Sequence, residues 1–335
     1  MKRRIVAGLI VAVVVFAVLI TFVGRGDVAR QLALTDPRVV ALGALFGASA
    51  LLFRSLVWVK FIGSVDTTMT WHRIIPLYLV AMFVKYSTPY GQVATEPFVA
   101  YLVSRDGEMD YEGGLAGILS ADLLNYVPYY TFGLTAAVLI ALGGALGPDL
   151  RGHVFAFIGL FLVIAMATYV VAFREHVMRR LVFGGLAVLD ATIGRLSSRI
   201  SRRLQGEQVD HRIGTFYGAV GDIRKDRSSL LWGTTFAHLG MIGLMAPMYI
   251  ATVGFGYEIE ISVVVLVVAL GKLGSIIPAP GGLGGVETTA TLAITVLTSI
   301  DAAAALAIVL IWRACTYWLT LGVGGIATIG FTFRA

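Results

Sequence analysis

The stretch Gly271–Thr291 reads GKLGSIIPAPGGLGGVETTAT, and the fold turns on how it is read. An apolar run ends in Pro278 and Pro280, and four glycines follow: Gly281, Gly282, Gly284 and Gly285. A single carboxylate, Glu287, then opens a second apolar run over Thr288–Thr298. Proline and glycine at this density stop one helix and let the next begin. One reading is an ordinary interhelical turn with an incidental acid. At membrane depth, by contrast, the unpaired N–H and C=O groups are tolerable only against protein or a water-filled cavity. Broken helices of that kind mark transporter substrate sites, where half-helix N-termini face anionic groups.

Composition decides between these settings. Of 335 residues, 58% are hydrophobic and only 14% are charged, with a mean hydropathy of +0.85. Such a chain is a polytopic membrane protein. No stretch is long and polar enough for a separate soluble domain of ordinary size, so residues 1–335 are expected to form a single integral membrane domain. The net charge of +6 lies beside apolar spans, which assigns it to topology and anionic lipid rather than to nucleic acid. Cys315 is the sole cysteine, so no intrachain disulfide or cysteine-rich metal site is expected, and no cofactor.

The opening motif has a partner. Ser87–Leu102 reads STPYGQVATEPFVAYL, and both stretches fit P-x-G-x-x-x-x-E: Pro89, Gly91, Glu96 and Pro280, Gly282, Glu287. At the same offset of 191 residues Asp110 matches Asp301, Leu115 Leu306, Ala116 Ala307, Leu119 Leu310, Tyr126 Tyr317 and Gly133 Gly324. Those nine identities compare with roughly four expected by chance in so apolar a chain. Internal repeats over about 74–147 and 259–333 follow.

Lys2, Arg3 and Arg4 precede the apolar run Ile5–Val23, too long for a cleaved signal and read as a retained span with its basic end cytoplasmic. Further spans are expected at Val39–Ile62, Ile74–Ser87, Gly113–Gly147 (one kinked crossing), His153–Phe173, Leu230–Val253, Ile259–Ile277 and Ala302–Phe333. Arg54 and Lys60, toward the far end of the second, read as snorkelling to the interface. Pro97–Val103 is too short to cross as a helix of about 20 residues and reads as a half-helix or hairpin arm. Arg174–Ser229 holds eleven Arg or Lys against six acids. Its helical apolar period over Met178–Leu204 describes an amphipathic helix on an anionic leaflet, which makes 174–229 a cytoplasmic segment. With the N-terminus and that segment on one side, an even number of crossings separates them, and the two repeat units face opposite ways. The expected fold is an all-α polytopic membrane protein of about seven to eight transmembrane helices. Two re-entrant or broken-helix hairpins are related by an inverted repeat, the architecture of alternating access.

The turn near Ser299–Asp301 lies about midway between Glu287 and Arg313, thirteen residues from each. An antiparallel hairpin brings the two to one depth, roughly 20 Å from the turn, and pairing there is how buried membrane charges survive. The pair reads either as structural or as part of a site. The same construction about Met109 sets Glu96 opposite Asp122. Two adjacent carboxylates do not both ionise comfortably, so this pair is a candidate proton or cation coupling site, unless Lys85 or Lys272 satisfies it from another helix. Tyr126, Tyr129, Tyr130, Tyr317 and Trp318 either line a groove or form an interfacial aromatic belt. GxSxG, HExxH and P-loop patterns are absent from the sequence.

At its two motifs the chain resembles the lysylphosphatidylglycerol synthase transmembrane region, or flippase-like integral membrane family, which includes the membrane half of the multiple peptide resistance factor. The strongest match is PAPGGLGGVE at Pro278–Glu287, with Arg313 and Tyr317–Trp318 downstream. TPYGQVATEPFVAYL at Thr88–Leu102 is similar to the archaeal pattern TPGGxxGGEPxxAYxL and departs from it at Tyr90, Ala94 and Thr95. The resemblance implies a stand-alone translocator in the cell membrane, moving an anionic phospholipid or polyprenyl-phosphate-linked lipid between leaflets. Lys85, Pro89, Gly91, Lys272, Pro280, Gly281, Gly282, Gly284, Arg313, Tyr126 and Tyr317 are then expected to hold the substrate, with Glu96, Asp122 and Glu287 balancing or coupling charge. Two other classes fit the same residues. One is an enzyme modifying a lipid headgroup with the carboxylates as acid and base. The other is a membrane scaffold that recruits a glycosyltransferase through residues 174–229, with further copies of the chain in a homo-oligomer as the alternative partner.

Overall fold

The computed structural model describes residues 25–332 apart from 89–90, 143–151, 153–154, 156–157, 160, 164, 167–168, 171–173, 194–205 and 278. The expected span at 5–23 lies outside the described residues, as do parts of the expected 153–173 span and of the 178–204 amphipathic run. No strand occurs among the described residues. The helices are α1 (Arg25–Ala33), α2 (Pro37–Val65), α3 (Trp71–Ser87), α4 (Gly91–Asp106), α5 (Tyr111–Leu142), α6 (Glu175–Ile193), α7 (Gly206–Lys225), α8 (Arg227–Gly254) and α9 (Ile261–Gly274). A 3₁₀ turn (Pro280–Gly282) leads to α10 (Gly285–Leu297) and α11 (Ala302–Arg313), and a π turn (Ala314–Trp318) leads to α12 (Leu319–Thr332).

Pro37–Val65, Tyr111–Leu142, Arg227–Gly254 and Ala302–Gly330 are long and apolar enough to cross a bilayer, and Ile261–Gly274 is a shorter apolar helix. Their outer faces carry Leu45, Ile326 and Ile329 at 65%, 74% and 60% exposure, a surface suited to lipid rather than water. The chain is an all-α polytopic membrane protein. As far as Leu142, where its described part ends, the expected 113–147 crossing is one helix with Pro128 buried inside it.

The elements recur at the offset read from the sequence. Shifted by 191 residues, α3 falls on α9, α4 on the 3₁₀ turn with α10, and α5 on the α11–π–α12 run. Helix α2 likewise falls on α8, which extends the correspondence one helix upstream of the expected repeat. The matched aspartates do matching work at N-termini, where unsatisfied N–H groups favour such caps. Asp110 accepts from Gly113 N at 2.7 Å, and Asp301 accepts from Ala303 N and Ala304 N at 2.9 and 3.1 Å.

Helices α2 and α8 pair head to tail along their whole length. Val39 faces Gly254, Phe46 and Ala50 face Gly243, Arg54 faces Gly240, and Phe61 faces Gly233. At Gly243 an added Cβ would lie 2.8 Å from the Phe46 carbonyl oxygen, so glycine is what lets the two backbones approach. Because corresponding helices are antiparallel, the two units enter from opposite ends. The cross-packing follows the same exchange: Gly324 of α12 meets Leu79 and Phe83 of α3, while Gly133 of α5 meets Ala269 of α9. Helix α4 returns to the end where α2 finishes, since Asp66 accepts from Glu108 N at 2.7 Å. Helix α10 returns to the opposite end, where the hydroxyl of Tyr257, just past α8, lies 3.5 Å from the Asp301 carboxylate. The α3–α4 and α9–α10 hairpins are therefore re-entrant from opposite sides.

Two predictions follow from this frame. In a Cys315→Ala background, Val39→Cys with Gly254→Cys should form a disulfide under mild oxidant and lose thiol labelling. The Cβ separation of 3.3 Å at that crossing is close to the usual disulfide range of about 3.5–4.5 Å, and absence of the bond contradicts the antiparallel register. The second concerns Asp226, which caps α8 by accepting from Ser229 N at 3.0 Å and accepts the Ser64 hydroxyl at 2.9 Å. Hydrogen bonds from the Ser229 hydroxyl and N–H, then Ser64, lower its pKa from 3.8 to about 2. A lowered folded-state value means stability that is present above the unfolded pKa and lost as pH falls through the folded one. Asp226→Ala should cost about 0.5–2 kcal/mol at neutral pH. In melting curves, its difference from the parent protein should shrink between pH 3.8 and about 2.

Candidate functional site

The two hairpins turn back where their helices break, and each break is built around its glutamate. At the second, Gly281 and Gly284 have φ of +57° and +83°, left-handed values that L side chains rarely adopt. A Cβ on Gly281 would also lie 2.0 Å from the Tyr317 ring. The turn closes through one network. Gly284 N donates to Glu287 Oε2 at 2.7 Å, Arg313 Nε donates to Glu287 Oε1 at 2.6 Å, and Arg313 Nη2 donates to the Gly281 carbonyl at 2.9 Å. The Arg313 guanidinium also stacks 4.2 Å over the Tyr317 ring. Pro280 starts the 3₁₀ turn, and Gly282 is pressed against Ser275, whose Cα would be 2.9 Å from an added Cβ. The pairing of Glu287 with Arg313 across the α10–α11 hairpin is the one the spacing anticipates. The anion that α10's N-terminus meets is the protein's own Glu287.

At the first break, Pro89 lies outside the described residues. Gly91 opens α4 with its N–H on the Thr88 carbonyl, so close to α3 that a Cβ would sit 2.2 Å from the Lys85 carbonyl oxygen. Lys85, in the last turn of α3, donates to Glu96 at 2.9 Å and to Asp122 at 3.0 Å. Glu96 and Asp122 thus do meet at one depth, with Lys85 as the satisfying cation. Asp122 accepts a further bond from Trp58 Nε1 at 2.8 Å. Trp58 had no signal in the sequence, being one aromatic in an apolar run.

Between the breaks lies a cavity of about 760 Å³, its open mouth included, to which α2, α3, α5, α8, α9 and the α11–α12 run all contribute. Arg54, Lys272 and Arg313 line it with Tyr78, Tyr86, Tyr129 and Tyr317. Lys272 also rests 5.1 Å over the Tyr126 ring, and the Tyr317 hydroxyl donates to the Tyr86 carbonyl at 3.3 Å. Arg54 is the correction here. It does not snorkel but points inward, because it lies near the middle of a 29-residue helix, too far from either end to reach an interface. That mid-span position was the available sequence signal. Among the described residues neither Arg54 nor Lys272 has a carboxylate within salt-bridge distance.

A family model for the lysylphosphatidylglycerol synthase TM region matches residues 5–324 of the chain. Two proteins of Methanothermobacter thermautotrophicus, both named UPF0104 membrane protein, are similar to it. One is 24% identical over 292 residues, covering 86% of this chain and 84% of the relative. The other is 24% identical over 293 residues, covering 84% and 81%.

Removing Arg313 leaves Glu287, 1% exposed, without its charge partner. Breaking one side of such a buried pair costs about 3–5 kcal/mol, so Arg313→Ala should melt far below the parent protein in detergent. Arg313→Ala with Glu287→Gln should recover most of that loss without regaining function. A double variant as active as the parent would reduce the pair to a structural role.

Proposed function

The chain belongs to the lysylphosphatidylglycerol synthase TM region family, and from that premise we propose that it is a translocase moving an anionic phospholipid or polyprenyl-phosphate-linked lipid between leaflets. The observation that carries this reading is the pair Arg54 and Lys272, two cations without carboxylate partners among the described residues, in a cavity where opposed re-entrant hairpins meet. Uncompensated buried charge is costly, and a phosphate headgroup would remove that cost here. The remaining donors of Arg313 add the forked geometry that suits phosphate oxygens. Lys85 is already neutralised by Glu96 and Asp122, so in this reading it organises the site rather than holding the headgroup. Opposed units lining one cavity support alternating access, each unit rocking against the other.

We further place the protein in the cell membrane with its N-terminus and residues 174–229 cytoplasmic. In support, α7 packs at the end of the bundle where α5 begins, with Arg212 3.5 Å from Glu112. Arg179 is paired with Glu175 and Asp210, and Lys225 with Asp222; the segment's eleven Arg or Lys against six acids favour an anionic leaflet.

Proteoliposomes carrying short-chain fluorescent phosphatidylglycerol, with the outer leaflet bleached by dithionite, test the proposal. The parent protein should expose the inner-leaflet pool to bleaching. Arg54→Ala and Lys272→Ala should each slow this by about tenfold or more, the loss expected for one charge-assisted contact. Neither variant breaks an ion pair, so both should remain monodisperse. Folded, reconstituted protein that moves no anionic lipid overturns the proposal.

A further inference from the structure

Among the described residues four buried side-chain oxygens have no hydrogen-bond partner: Thr95 Oγ1, Glu96 Oε2, Asn125 Oδ1 and Thr291 Oγ1. Three of the four lie on the α4–α5 pair. Thr95 and Glu96 are neighbours on α4, while Asp122 and Asn125 are three residues apart on α5 and so share a face. Lys85 joins Glu96 and Asp122 in one cluster, because its Nζ lies 2.9 Å from Glu96 Oε1 and 3.0 Å from Asp122 Oδ2. Those two carboxylate oxygens are therefore within 5.9 Å of each other, the sum of the two bonds. Thr95, Glu96 and Asn125 are only 3%, 9% and 2% exposed. An unsatisfied acceptor at such depth bears its full desolvation penalty, and a charged one bears more.

The matching residue in the other unit shows what is missing. Both oxygens of Glu287 are taken, one by Arg313 and one by Gly284 N. In the first unit two carboxylates share one ammonium, Trp58 takes the free oxygen of Asp122, and nothing takes Glu96 Oε2. Counted alone, Glu96, Asp122 and Lys85 are one positive charge short.

We propose that this cluster binds one small monovalent cation, a proton or Na⁺, on Glu96 Oε2, with the oxygens of Thr95 and Asn125 as its neutral partners. A proton makes Oε2 a donor toward a neutral acceptor. A sodium ion takes carboxylate, hydroxyl and amide oxygens together, the hard ligands such a cation prefers. Either occupant brings Glu96, Asp122 and Lys85 together to neutrality. The charged and titratable groups that face the cluster are Lys85 and Tyr78 from α3, Asp122 and Tyr126 from α5, Arg54 from α2, and Lys272 from α9. Its use as a coupling ion rests on the translocase reading; its binding does not.

The test uses the purified full chain in detergent with no lipid substrate. Radioactive ²²Na⁺ binding at alkaline pH reads the sodium arm, and the infrared carbonyl band of a protonated carboxyl in sodium-free buffer reads the proton arm. Saturable binding of one Na⁺ per chain, lost in Glu96→Gln and weakened about tenfold or more in Thr95→Val and Asn125→Ala, assigns sodium. A protonated-carboxyl band that vanishes in Glu96→Gln, without Na⁺ binding, assigns the proton. Absence of both signals overturns the proposal, as does either signal surviving in Glu96→Gln. Should Glu96→Gln fail to purify as a monodisperse species, Thr95→Val and Asn125→Ala keep the charge and read the same loss. No vesicle or lipid enters the assay, so its failure leaves the translocase reading standing, and its success stands even if no lipid moves.

Discussion

A chain that turns back partway through a bilayer must satisfy the N–H and C=O groups that its broken helices release, because the hydrocarbon offers them nothing. The second hairpin meets this constraint with side chains from its own unit. Glu287 accepts from the Gly284 N–H on one oxygen and binds Arg313 on the other, while Arg313 reaches the Gly281 carbonyl. Each member needs the others: the carboxylate needs a cation, the cation needs an acceptor, and the freed backbone supplies and consumes hydrogen bonds at both ends. The left-handed glycines are the backbone side of the same arrangement, since only their φ values bring Gly284 N and Gly281 O within reach of the pair.

The two units share a scaffold but not a chemistry. At the offset of 191, Glu96 corresponds to Glu287, yet Asp122 corresponds to Arg313 and Lys85 to Ile276. Where one unit has an acid and a base, the other has two acids, with a lysine added from the preceding helix. The second unit is neutral and closed on itself; the first is acidic and keeps an open oxygen on Glu96. Beside them Arg54 and Lys272, which have no charged counterparts at the matching positions, make the cavity between the units basic.

Much of this frame was legible in the sequence, because Pro, Gly, Glu and Asp are read by position rather than by partner. The P-x-G-x-x-x-x-E motifs marked both breaks, and counting thirteen residues either side of a turn paired Glu287 with Arg313. Capping aspartates at 110 and 301 carried the repeat into its third helix. What stayed hidden depended on which face a residue presents. Arg54 was assigned to an interface because its helix had not been given its true length of 29 residues. The α2–α8 correspondence escaped because at the offset of 191 those helices share only Gly63 with Gly254. Trp58, Tyr78 and Tyr86 looked like any aromatics of an apolar span, and only tertiary contact gives them a role.

The glycine contacts also limit how such a structure can move. Along α2 and α8, backbone of the partner at Gly243, and the side chains of Phe61, Arg54 and Val39 at Gly233, Gly240 and Gly254, stand where another side chain would clash. Gly47 is tighter still, for an added Cβ would fall 1.9 Å from the Cys315 carbonyl oxygen in the π turn. A slip of one residue would set larger side chains such as Leu51 or Met241 against these backbones, and close-packed interfaces do not deform continuously. The α2–α8 pair and the π turn therefore behave as one fixed body. Because the π turn follows Arg313 directly, that body also fixes the second hairpin through the Glu287 pair. The first hairpin packs on α2 through an apolar core that includes Phe61, Ile62, Leu77 and Val103, and Lys85 ties it to Asp122 of α5, which Trp58 of α2 also holds. Of the two hairpins, it is the one whose buried carboxylate keeps an oxygen without a hydrogen-bond partner, and so the one whose polar contacts are left incomplete.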